Sequence, residues 1–133
     1  MEFLTLIEKI REKVVNEVDR VEGRVFIQRA RTAPQENIPL PCIVIYFTNP
    51  TIAHPQYHEL YRFTMRMEVL SDNFDELADI AVKLDDLFVN KKIDLADGIA
   101  LVSKLFTKNY EGYRLDIRAE SYSVTYMCYV LET

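Results

Sequence analysis

Two histidines, two cysteines and eight tyrosines are the side chains of this 133-residue sequence with the most chemical reach. His58-Glu59-Leu60-Tyr61-Arg62 opens like the helical zinc motif of metalloproteases, but Arg62 stands where the second ligand is needed. It also falls at the entrance of a strand pattern, not on a helix. His54 and His58 flank Pro55, which breaks the helical register that would aim both rings at one ion. Asp85 and Asp86 are neighbours on a helix pattern, so they point in different directions and cannot work as a carboxylate pair. Cys42 and Cys128 lie far apart, show no C-x-x-C spacing and have no histidine close in sequence. Both sit inside apolar strand-like runs, so they are expected as buried thiols of a reducing, intracellular compartment. Three scattered glycines cannot build a phosphate-binding loop, and there is no G-x-S-x-G. No catalytic residue, metal or cofactor is therefore expected. Five of the eight tyrosines follow residue 109. Tyr122 and Tyr126 share a strand phase with Val124, which reads as sheet packing; aromatic residues also favour protein interfaces.

Composition narrows the classes further. The chain is 49% apolar and 28% charged, with a net charge of −5. That is the balance of one globular domain, 1–133, able to build a core without staples. The acidic surplus argues against a dedicated nucleic-acid module, because phosphate neutralisation needs excess Lys and Arg. The charged start, MEFLTLIEKIREKVV, is unlike a signal peptide, and no apolar stretch is long enough to cross a bilayer.

The elements that would position these residues follow from periodicity. Residues 2–21 repeat apolar side chains every three and four positions, predicting an amphipathic helix that ends at Gly23. Strands are expected at 24–30 (RVFIQRA), 40–48 (LPCIVIYFT) and about 59–70, where Tyr61, Phe63, Met65, Met67 and Val69 alternate with Arg62, Thr64, Arg66 and Glu68. Two Pro-containing loops, 31–41 and 49–58, separate them. A second helix spans about 73–90, with Asn73 and Glu76 as a capping box and Lys91 and Lys92 closing its end. Strands at 99–107 and about 119–131 complete the chain, with a turn at NYEG around Gly112. The expected fold is α+β: a mostly antiparallel or mixed five-stranded sheet with two helices on one face, in the order α-β-β-β-α-β-β.

Two helices can cover one face of such a sheet. The strand at 40–48 is apolar on both phases, so Ile43, Ile45 and Phe47 are expected on the uncovered face, beneath either a neighbouring subunit or a folded-back loop. Charge is segregated too. Residues 72–97 carry eight acids and three bases, whereas acids and bases balance elsewhere. Asp75, Asp79 and Asp86 on the second helix, and Arg29, Arg31, Arg62 and Arg66 on or beside the strands, are the candidate subunit-interface residues. Unlike patches on different elements suit head-to-tail association that closes into a ring.

The run from the first helix through Gly23-Arg24-Val25-Phe26, Pro41-Cys42-Ile43-Val44-Ile45-Tyr46 and RFTMRMEVL to the acidic helix and Tyr-rich last strand resembles the tail terminator proteins of long-tailed bacteriophages. That family includes the phage lambda minor tail protein U. The resemblance covers nearly the whole chain. It implies a structural protein, not an enzyme, that assembles in the bacterial cytoplasm as a six-membered ring and ends up in the virion. The ring would bind the end of the tail tube, stop its polymerisation and offer a surface for joining the head. Expected partners are thus other copies of the chain, the tail tube protein and a head–tail connector, with no membrane and no specific nucleic acid. The two loops are the candidate tube- or head-docking segments, through Pro34, Gln35, Glu36, Asn49, Thr51, His54 and Gln56. Another neck or tail-completion protein is the nearest rival reading, and a small α+β enzyme or ligand-binding module is the rival from another class.

Overall fold

The computed structural model describes residues 2–27, 39–52, 59–96 and 98–132, of which 49–52 and 59 are described by backbone alone. Helix α1 (Phe3–Glu17) forms because Leu6, Ile7, Ile10 and Val14 fall on one stripe, and all four are buried. It gives way to a 3-10 turn at Asp19–Val21 that buries Val21. Glu22 and Gly23 then take left-handed conformations, φ 50° and 80°, and reverse the chain into β1 (Val25–Ile27). β2 (Cys42–Ile52), β3 (Glu59–Ser71), helix α2 (Phe74–Phe88), β4 (Lys91–Ala96), β5 (Ile99–Arg114) and β6 (Ala119–Glu132) follow.

The six strands make one mixed sheet in the order β1-β2-β3-β6-β5-β4. β1 runs parallel to β2, and the other neighbours are antiparallel. Both helices lie on one face. Their buried stripes meet Ile43, Ile45 and Phe47 of β2, Phe63, Met65, Met67 and Val69 of β3, and Val124, Tyr126, Cys128 and Val130 of β6. Phe3 seats α1 by edge contacts with Phe47 and Phe63, at 6.2 Å and 5.7 Å between ring centres. Phe88 seats α2 on Tyr126 with the two rings tilted to one another, 5.5 Å between centres. Asn73 caps α2 by accepting the Glu76 backbone N–H at 3.1 Å. The other half of the expected box is replaced: the Ser71 hydroxyl, not the Asn73 backbone, donates to the Glu76 carboxylate at 2.9 Å.

The α+β class and the two helices on one face agree with the sequence reading, and several particulars are corrected. The sheet has six strands, not five. Lys91 and Lys92 belong to the extra strand β4 and do not close α2; only Ile93 of this short, charged edge strand is buried. The chain does not turn at Gly112. That glycine sits inside β5 at a bulge, φ 75°, and the turn comes at 115–118. Asn49 lies within, and Thr51 directly after, an irregularity of the β2 strand, and neither is in a loop.

The largest correction concerns the sheet face. Ile43, Ile45 and Phe47 are not on the uncovered side; they are buried under the helices. The outward phase of β2 is Cys42, Val44 and Tyr46. Because both phases are apolar, hydrophobicity alone could not choose between them.

Candidate assembly surfaces

The face away from the helices is built by strand alternation. Cross-strand register places Lys92, Val102, Tyr129 and Arg62 in one row, and Lys104, Met127, Thr64 and Thr48 in the next. Thr107, Thr125, Arg66 and Tyr46 form a third row. The cations rest on the aromatic rings. The Arg62 guanidinium lies 5.0 Å from the centre of the Tyr129 ring, and the Lys104 ammonium lies 5.8 Å from the same ring. Arg66 lies 4.4 Å from the Tyr46 ring centre. Such stacking holds long cationic side chains flat on the sheet and keeps their charge at the surface.

One end of this face is different. Glu68 is only 8% exposed, and its carboxylate lies 3.5 Å from Arg66 and 3.6 Å from Arg114. Burial pushes its carboxyl above the usual carboxylate range; Arg66 and Arg114 pull it back only in part. Arg114 also grips Asp116, at 2.6 Å, and approaches Glu111 at 4.0 Å. Its fork holds Asp116 below the ordinary aspartate value, and Asp116 raises Arg114 in return. The Ser121 hydroxyl donates to Glu111 at 3.2 Å. Beside this cluster Cys42, Val44 and Leu70 are buried, with Phe26, Leu40, Tyr46 and Ile117 packed against them.

The opposite side of the molecule is the outer face of α2. Leu77, Ile80, Leu84 and Phe88 point into the core, so Asp75, Asp79, Val82 and Asp86 point out, and all four are exposed. Asp79 is engaged within the chain by Arg20 at 2.9 Å, and Glu76 lies 3.8 Å from the same guanidinium. Between the end of α1 and α2 lies a groove of about 400 Å³, bordered by Glu17, Asp19, Arg20, Asp79 and Lys83. Further along, Lys108 of β5 pairs with Asp85, and Tyr110 meets Phe74 edge-on while its hydroxyl donates to Glu120. The Lys108 ammonium is raised above its ordinary value chiefly by that bond to Asp85.

The candidate residues therefore divide. Asp75, Asp79 and Asp86 share one surface, and Arg62 and Arg66 share the opposite one, joined there by Lys92 and Lys104. Arg29, Arg31, Pro34, Gln35, Glu36, His54 and Gln56 lie outside the described residues, as does His58. The side chains of Asn49 and Thr51 are likewise outside the description. Both thiols are buried, as expected. Burial pushes Cys128 up to about 12, and that of Tyr126 raises its hydroxyl, which donates to the Leu84 carbonyl at 3.4 Å. These are packing roles, since a thiol held that high is protonated at neutral pH. The Arg114 cluster was missed. Glu68 reads as an ordinary solvent-side residue of an alternating strand, and nothing local announces that a turn more than forty residues later folds over it.

Among the described residues, no three His, Cys, Asp or Glu side chains group closely enough to hold a metal ion, and no helix is long and apolar enough to cross a membrane. Compared with known protein families and with curated proteins, the sequence matches none.

Proposed function

We propose that the protein is a structural, ring-forming terminator of a bacteriophage tail tube. The observation that carries this reading is the separation of charge onto opposite sides of one domain. Asp75 and Asp86 project from α2, while Arg62, Arg66, Lys92 and Lys104 project from the far face of the sheet. A contact between the α2 surface of one copy and the sheet face of the next is heterologous. Such contacts propagate until the rotation closes a ring. Opposed charge speeds encounter and penalises like-to-like docking. The resemblance to tail terminators supplies the biological setting and the expected six-fold closure. The mechanism is steric: the ring occupies the tube end that the next tube subunit needs, and its other side meets the head connector. No reacting group is required.

The test is negative-stain electron microscopy of the purified protein, alone and with a polymerising tube subunit. Rings that sit on tube ends and shorten the tubes are expected. Single copies at high concentration, with tube lengths unchanged, would overturn the reading.

A further inference from the structure

Among the described residues, the apolar end of the sheet face is covered in part by the turn between β5 and β6. Ile117 packs with Phe26, Leu40 and Tyr46 around buried Cys42, Val44 and Leu70. The turn lies outside the strand ladder, whose last β5–β6 pair is Arg114 with Ala119. Leu115 is 83% exposed and contributes no cover. Among the described residues, Ile117 is the apolar side chain that anchors the turn on the cluster. One cation anchors it electrostatically: Arg114 bonds Asp116 within the turn while reaching Glu68 of β3 and Glu111 of β5. Arg66, itself stacked on Tyr46, shares Glu68 from the other side. The left-handed Arg118, φ 52°, returns the chain to β6.

We infer that the 115–118 turn is a latch: it swings off the sheet as a unit, with Arg114 as its catch, and uncovers the Cys42–Val44–Leu70 patch while the rest of the fold stays intact. The physical ground is a contrast in what holds each part. Swinging the turn gives up the Ile117 contact with the cluster and the Asp116 bond to Arg114, which itself stays in the ladder. Moving any neighbouring strand gives up a full ladder of backbone hydrogen bonds and the helix-side core. Openings of so few contacts occur well below the free energy of global unfolding.

The two buried thiols make a test with an internal control. Cys42 belongs to the cluster that Ile117 packs against, and Cys128 belongs to the core on the helix side. Alkylation of the folded full-length protein, followed by peptide mass mapping, reads both at once. In Arg114→Gln, Cys42 should label about tenfold faster than in the parent, with Cys128 unchanged, as expected when a charge-assisted catch is lost. Should that variant not fold, Ile117→Ser removes the apolar anchor and serves the same comparison. An unchanged Cys42 rate in the folded variant would overturn the latch. So would a parallel rise at Cys128, because it would mean that the whole fold opens.

Discussion

The two faces of one sheet are stabilised by different means. The helix side is a continuous apolar layer in which Ile45, Met65, Met67 and Tyr126 are fully enclosed. The far side places cations on tyrosines across its open part, and at its Cys42 end the β5–β6 turn packs Ile117 on a buried cluster. Side-chain alternation makes both faces from the same strands, so each residue step moves a side chain from one face to the other. The helix side holds the larger buried apolar cluster, and the far side holds a smaller one beside its surface cations.

Adjacent residues of β2 test that contrast most strongly. Ile45→Ala on the helix side should destabilise by about 4 kcal/mol, near the upper part of the range for buried aliphatic truncations. Val44→Ala, one step along and on the latched face, should cost about 1–2 kcal/mol, because the turn above it can settle into the gap. Urea denaturation gives both values, and equal losses would erase the distinction between the faces.

Next in size is a pH effect. Burial raises the Glu68 carboxyl, so the folded chain binds that proton more tightly than the unfolded chain. In the window from the ordinary glutamate value, 4.5, up to the raised one, Glu68 makes stability fall as pH rises. Glu68→Gln should remove this component and leave the protein no less stable at neutral pH. Asp116, held low by Arg114, acts in the opposite sense: its contribution is present above the ordinary aspartate value and is lost as pH falls through the lowered one. The two can be separated by denaturation midpoints measured at several pH values for the parent and for Glu68→Gln. The smallest effect is Lys104→Ala, about 0.5 kcal/mol or less, since an exposed cation over a ring contributes little.

Much of this architecture is legible in the residues. The strict alternation from Phe63 to Val69 gives β3 both its faces, and Asn73 marks the start of α2 by its residue type and its spacing from Glu76. β2 shows where such reading stops. With Cys42, Val44 and Tyr46 in one phase and Ile43, Ile45 and Phe47 in the other, only the helix packing chooses the inner face. β4 was hidden because KKIDLA has too few apolar positions to display a period. Gly112 reads in sequence as a turn residue because the left-handed conformation it favours serves a turn and a bulge equally well. Of the candidate surfaces, the acidic side of α2 was visible as three aspartates at helical spacing. The basic side was visible only in part. Lys92 and Lys104 join Arg62 and Arg66 through cross-strand register, which is a long-range property.

The central claim, that opposite faces of one domain meet between copies, is tested most directly by charge exchange read as particle mass in native mass spectrometry. Asp75→Lys with Asp86→Lys should disperse the parent assembly, and so should Arg62→Glu with Lys104→Glu. Carrying all four changes in one chain should restore the parent mass, because the reversed faces again attract. Assemblies that survive either pair of reversals intact, or a parent that is a single chain at high concentration, would contradict the claim.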